Sequence, residues 1–166
     1  MRPFRAVRGG GVVARLDQAE AHIVALLLDQ LEQLLEADAD DVGGDPVLVR
    51  LLPDGHRGDP ELAADYRELT EASLRSGKAD DLATVRATLP DGGGEVRLDA
   101  DQAAAWLRST NDLRLALGTR LDISEDTEPP EEITGDEDQQ LAVYYWLTAL
   151  QGSLVDALVA GRAARS

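Results

Sequence analysis

Apolar and polar positions change period several times along the chain. Residues 4 to 7, Phe-Arg-Ala-Val, and 12 to 16, Val-Val-Ala-Arg-Leu, are short strand-like runs separated by Arg8 and the triplet Gly9-Gly10-Gly11, a pattern that predicts a β-hairpin. The period then becomes helical. Ile23, Leu27, Leu31 and Leu34, reinforced by Leu26, Leu28 and Leu35, form a wide apolar stripe expected to face the core. Asp17 stands at the N-cap of this helix with Glu20 three positions later, so that each side chain can meet the other's free backbone amide. The acidic, glycine-containing stretch from Glu36 to Asp45 ends it.

Asp45-Pro46 and Asp59-Pro60 each place a capping carboxylate before a proline, which suits the first helical position because that amide has no partner there. The first opens a short apolar segment, Val47 to Leu52. The second opens a helix expected to run to about Ser76, with Gly77 as its left-handed cap, and a further helix is expected over Ala79 to Leu89. A second glycine triplet, Gly92-Gly93-Gly94, then precedes a third strand, Glu95 to Leu98, and Asp99 with Gln102 repeats the capping pair. Arg15-Leu16-Asp17 and Arg97-Leu98-Asp99 thus occupy matching settings. They read either as two strand-to-helix units related by a pseudo-twofold or as recurrent turn chemistry.

The helix from Ala100 carries Trp106, Leu113, Leu117 and Leu121 on one face. Asp122 to Gln140 holds nine acidic residues, no basic one, and Pro129-Pro130, which predicts a mobile acidic loop. Thr134 with Glu137 reads as another capping pair, opening a last amphipathic helix through Val143, Trp146, Leu147, Leu150, Leu154 and Leu158. The expected fold is a single, mainly α domain over residues 1–166. It is a multi-helix bundle with a small antiparallel sheet from the hairpin and the strand at 95–98, and with mobile acidic loops about 36–45 and 122–140.

Composition narrows the function. The chain has 166 residues, 43% of them hydrophobic, enough for a real core. Its 16 basic against 32 acidic side chains give a net charge of −16, which repels nucleic-acid phosphates and anionic membranes. It has no cysteine, which excludes disulfides, thiol nucleophiles and thiolate metal sites. The first residues lack the apolar run of a secretory signal, and no apolar stretch is long enough to span a bilayer, so a cytoplasmic location is expected. Lys78 is the lone lysine among the basic residues, an arginine-dominated usage that suggests a G+C-rich genome.

Catalytic signals are thin. His22 sits beside an apolar helical stripe, where a boundary position is expected. His56, between Asp54 and Asp59, lies in a turn-rich loop that could meet a metal or substrate, but no second histidine stands at ligand spacing. The acidic runs lack the spacing of a calcium loop, the glycine triplets lack a phosphate-binding lysine, and no nucleophile has an evident base. No catalytic residue, cofactor or metal is therefore assigned. The helices expected at 60 to 75 and 79 to 89 have the outline of a helix-turn-helix, but residues 59 to 89 hold seven acids against four bases, the wrong ratio for facing phosphates. Direct DNA binding is not expected.

Candidate partner-binding residues fall in three places. Arg2, Arg5, Arg8 and Arg15 precede the first acidic residue, a basic hairpin that would either meet an acidic partner or neutralise the rest of the fold. Asn111, Asp112 and Arg114 stand among helical leucines, where they either satisfy one another or bind something. Tyr144, Tyr145 and Trp146 concentrate aromatics in a chain only 4% aromatic; Trp146 is expected in the core, and Tyr144 and Tyr145 diverge by about a hundred degrees, so at least one approaches the surface.

Three ordered blocks carry a family likeness: Val49-Arg50-Leu51-Leu52-Pro53-Asp54, Asn111-Asp112-Leu113-Arg114-Leu115-Ala116-Leu117-Gly118 and Val143-Tyr144-Tyr145-Trp146-Leu147-Thr148-Ala149-Leu150-Gln151. After an N-terminal hairpin they resemble the actinobacterial oxidative-stress transcription regulator family (AosR-like), long catalogued as a domain of unknown function. The resemblance implies a cytoplasmic regulator that senses oxidation through a cysteine pair and then binds an alternative sigma factor of RNA polymerase. This chain departs from that pattern in having no cysteine, so the redox switch carries over to no position. The expectation is a transcription-associated, non-catalytic regulator acting through a protein partner, a sigma factor or an RNA polymerase component. The alternatives are a structural or adaptor homodimer formed through the aromatic C-terminal helix, and a metal binder or enzyme centred on His56, Asp54 and Asp59.

Overall fold

The computed structural model describes residues 1–36, 46–51 and 60–165. In chain order these form β1 (Arg2–Ala6), β2 (Val12–Leu16), α1 (Gln18–Glu36), α2 (Pro46–Leu51), α3 (Pro60–Thr88), β3 (Gly94–Leu98), α4 (Ala100–Arg120) and α5 (Asp136–Arg165). The strands make one antiparallel sheet in the order β1-β2-β3. The result is the mainly helical fold with a small antiparallel sheet that the sequence predicts. Residues 37–45, most of the first expected acidic loop, and His56 with Asp54 and Asp59 lie outside the described residues.

Two strand-to-helix units pair through β2 and β3. Asp17 Oδ1 accepts the Glu20 amide at 2.8 Å while Glu20 Oε1 accepts the Asp17 amide at 2.8 Å. Asp99 and Gln102 repeat both bonds, at 2.8 and 2.9 Å. The register between β2 and β3 pairs Val12 with Leu98, Ala14 with Val96 and Leu16 with Gly94. Ala14 and Val96 each stand three residues before their capping aspartate, so equivalent positions face one another and a local twofold passes between them. The glycine triplets obey it too. A Cβ on Gly11 would fall 2.6 Å from the Leu98 carbonyl oxygen, and one on Gly93 2.7 Å from the Asp17 carbonyl carbon, both at positive φ. Each turn therefore lies against the strand-to-helix junction of the other unit, an approach that a side chain would block.

The core lies between the sheet's inner face and the helices. Val12, Ala14, Leu16, Val96 and Leu98 meet Trp106, Leu147, Leu150 and Leu154 in one buried cluster. Trp106 is fully buried, with its indole N–H donating to Thr88 Oγ1 at 2.7 Å and its ring edge-on to Phe4 at 5.8 Å. In α1 the buried stripe is Ala21, Val24, Leu28, Leu31 and Leu35; Ile23, Leu27 and Leu34 are only half-buried and Leu26 is exposed. The stripe is thus rotated by about one position from the expected one, with Ala21 and Val24 on it and part of the leucine excess on its flanks.

Three local expectations are corrected. Gly77 does not end a helix, and α3 runs unbroken from Pro60 to Thr88. The expected break is bridged by contacts on either side of it: Arg75 donates to the Leu35 carbonyl, Lys78 holds Asp112, and Arg86 holds Asp29 and Glu32. The cost of an interior glycine, about 1 kcal/mol, is offset by these contacts. The helix-turn-helix outline disappears with the turn it required. Thr134 does not pair with Glu137, since α5 begins at Asp136 and its third residue is Asp138. Both the amide and the hydroxyl of Thr134 donate to Asp138 Oδ2, at 3.1 and 2.6 Å, and hold that exposed carboxyl below its ordinary pKa. The segment after α4 is also tied down at one point by Tyr145 Oη, which donates to the Thr127 carbonyl at 2.8 Å.

The two glycine environments predict opposite outcomes. Gly77→Ala meets open space in a helix interior and is expected to raise stability by about 0.5–1 kcal/mol. Gly93→Ala collides with the Asp17 backbone from a left-handed conformation and is expected to cost about 2 kcal/mol or more. Urea unfolding of the two variants measures both; a loss in Gly77→Ala would mean that this glycine caps a helix after all.

Candidate functional site

A β-bulge creates the surface. In β1, Arg2 pairs with Arg15 but Arg5 pairs with Val13, so Pro3 and Phe4 together stand opposite Ala14. Without the extra residue, Arg2 and Arg5 would point to opposite faces, because side chains alternate along a strand. With it, both point outward and Phe4 turns in to Trp106. The Phe4 amide donates to Ser153 Oγ of α5 at 3.2 Å, which ties the bulge to the bundle. The outer face then reads as two rows across the sheet, Arg2, Arg15, Glu95 and Arg5, Val13, Arg97.

Four guanidinium groups and one carboxylate occupy this face. Neighbouring strands are about 4.8 Å apart and alternate residues about 6.8 Å apart, so the four arginines spring from a patch about 10 Å by 7 Å. Val13, in the middle, is 3% exposed although its cross-strand neighbours are Arg5 and Arg97. Arginine stems are long enough to cover such a position while their guanidinium groups stay in water. Arg97 pairs with Glu95 at 3.1 Å, an exposed contact of small energetic weight. Among the described residues Arg2, Arg5 and Arg15 form no ion pair, and neither does Arg8 in the hairpin turn. Arg86 and Arg108, by contrast, each hold carboxylates.

The polar residues of α4 turn inward. Asp112 is buried and accepts two bonds from Lys78 Nζ, at 3.0 and 2.9 Å. Burial pushes the Asp112 carboxyl above its ordinary pKa, against the opposing pull of Lys78. Asn111 Oδ1 accepts from Gln151 of α5 at 3.3 Å and lies 3.5 Å from an Arg114 terminal nitrogen. Arg114 Nε is buried with no partner, and Arg114 lines an open cleft with Gly118, Thr119, Asp122 and Tyr144. The partner of Asp112 escaped sequence reasoning because Lys78 lies on another helix, and only the burial of one carboxylate among leucines hinted that a cation was needed.

The C-terminal aromatics are used within the fold. Tyr144 and Tyr145 meet edge-on at 5.4 Å, both half-buried, and Tyr144 lies against Gly118. Trp146 is half-buried at the rim of the core and donates to Glu20 Oε2 at 3.0 Å. His22 is exposed on α1. The three groups of candidate residues are therefore not one site: Arg2 and Arg5 share the sheet's outer face with Arg15 and Arg97, Arg8 stays in the hairpin turn, and the α4 and α5 residues mostly knit helices together.

Fold and surface define a small helical domain with a charged sheet face turned outward. The chain belongs to the family described as Domain of unknown function (DUF2017), whose model matches residues 1–158. It is 34% identical over 170 residues to "Oxidative stress regulator AosR" of Mycobacterium tuberculosis (strain ATCC 25618 / H37Rv), covering 92% of this chain and 76% of that protein. The same identity and coverage hold for the protein of that name from Mycobacterium bovis. A Mycobacterium leprae protein that bears the name provisionally is 34% identical over 182 residues, 95% of this chain and 83% of its own. No solved structure matches. Among the described residues no helix is long and apolar enough to cross a membrane.

The Lys78–Asp112 pair yields a stability test. Lys78→Met leaves a buried carboxylate without its cation and is expected to cost about 3 kcal/mol at neutral pH in urea unfolding. Combining it with Asp112→Leu removes both charges and is expected to recover most of the loss. The pH dependence has a definite sign. Because the Asp112 pKa is raised on folding, its contribution to stability is fully present below pH 3.8 and declines as pH rises through the folded value. An unchanged stability in Lys78→Met would show that the pair is solvated rather than buried.

Proposed function

We propose that this protein is a regulator of the oxidative stress response that works by binding a protein partner rather than by catalysis. The observation that carries the reading is its 34% identity, across 92% of its length, to a protein named oxidative stress regulator. The partner suggested by the family resemblance is an alternative sigma factor or another component of RNA polymerase, through which the protein would act on transcription. The geometry is in keeping with binding. Asp112 and Asn111 of α4 are taken up by Lys78 and Gln151 of neighbouring helices, and the sheet's arginines face solvent.

One departure shapes the mechanism. These 166 residues contain no cysteine, so no disulfide within them can switch binding on and off. Partner binding is accordingly expected to be independent of thiol oxidation in this chain.

Affinity capture with the tagged full chain from a lysate of its own host, with and without peroxide, tests the reading. A sigma factor or polymerase subunit should be recovered in equal amount under both conditions. Recovery of neither overturns the transcriptional assignment, and recovery only after peroxide overturns the absence of a switch.

A further inference from the structure

We propose that the outer face of the sheet, through Arg2, Arg5, Arg15 and Arg97, binds an acidic segment of a protein partner. The inference deepens the proposed function by naming a surface and a partner chemistry, and it rests on that reading only for who the partner is.

The first argument is the missing counter-charge. The chain has 32 acidic side chains, yet among the described residues none of them pairs with Arg2, Arg5 or Arg15, while Arg86, Arg108 and Lys78 each hold a carboxylate. If the hairpin arginines served only to neutralise the fold, those acids would reach them. Instead Arg2 stands directly across from Arg15, a like-charge pair that opposes strand pairing, and a bulge brings Arg5 to the same side. The arrangement gathers positive charge at the expense of the sheet that carries it.

The second argument is shape and chemistry. All four cations are arginines, whose planar forks can each take a carboxylate through two parallel hydrogen bonds. Two sit on the central and edge strands of one row, and two flank Val13 in the other. Such a patch fits three or four carboxylates of a peptide segment rich in Asp and Glu. It is too small for a nucleic-acid site, which commonly engages six to ten phosphates, roughly twice what four arginines supply. The remainder of a chain of net charge −16 would repel a long polyanion, whereas a short acidic segment seated on the patch lies within a Debye length, about 8 Å, of the arginines.

The test uses the intact protein and a fluorescent octa-aspartate peptide, read by anisotropy at low and moderate salt. The wild-type chain should bind the peptide in a salt-sensitive way. Arg5→Gln with Arg15→Gln should weaken binding roughly tenfold, and Arg5→Glu with Arg15→Glu should abolish it. Arg120→Gln, an exposed site remote from the sheet face, should leave it within about twofold. The glutamine pair keeps most of each aliphatic stem, and melting curves establish that it folds.

Equal peptide binding by the glutamine pair overturns the proposal. So does tighter binding of a single-stranded oligonucleotide of equal charge, which would assign the face to nucleic acid. Self-association lost in the charge-reversed pair, with no peptide binding, also overturns it by seating a second copy there. The two readings fail separately. Peptide binding lost in the variants, with no polymerase component captured by the wild type, keeps the face and sinks the regulatory reading. Capture of the partner by the charge-reversed pair keeps the regulatory reading and removes the face from it.

Discussion

The antiparallel pairing of β2 with β3 is the constraint on which the rest of the structure depends. It joins two strands far apart in sequence, with the helices α1, α2 and α3 between them. Closing so long a stretch costs conformational entropy that no hairpin turn reduces. What offsets it is burial: Val12, Ala14, Leu16, Val96 and Leu98 are all at most 4% exposed. The capping boxes at Asp17 and Asp99 then start α1 and α4 one residue beyond each strand, so the direction of two core helices is set by the register of two strands. Gly11 and Gly93 permit that register, because each lets its turn approach the opposite junction more closely than any side chain allows.

The inward apolar face leaves the outward face to charge. A strand buried on one side alternates, and β2 and β3 send Arg15, Glu95 and Arg97 outward by that rule alone. In β1 simple alternation fails: Phe4 must face Trp106, and Arg2 and Arg5 cannot both oppose it unless a residue is inserted between them. Proline at position 3 suits the bulge, since it has no amide to contribute to the ladder. The freed Phe4 amide is satisfied by Ser153, so the charged surface and the α5 docking site share one local irregularity.

What the sequence made legible was local. Both capping boxes, the second and third strands, the glycine triplets and the apolar stripe of α5 depend on residues a few positions apart and stand where the pattern put them, while the first strand, expected over residues 4 to 7, begins two residues earlier and ends at Ala6. Gly77 misled because a glycine reads as a cap unless tertiary contacts override it, and Lys78 to Asp112 and Arg86 to Asp29 span dozens of residues. The same limit hid the site. Arg2 and Arg5 are conspicuous as a basic hairpin, but their common face depends on a bulge, and the addition of Arg97 depends on a strand pairing that local periodicity does not encode. Asn111 and Asp112 looked like binding residues because polar groups among leucines need partners; the partners, Gln151 and Lys78, belong to the fold itself.

Charge of opposite sign to the whole has a consequence of its own. A strongly acidic surface slows encounter with an acidic partner in most orientations, and a single positive face makes one approach the favoured one. The net charge then acts as a filter on orientation rather than as the attraction itself, and screening by salt weakens both the repulsion and the contact over a similar distance. For a chain without cysteine, a surface of this kind shifts control away from its own chemistry. Under the proposal of an acidic partner segment, binding would follow from how much of that segment is exposed, and a signal that uncovers or masks it would govern the complex while this protein stays chemically unchanged.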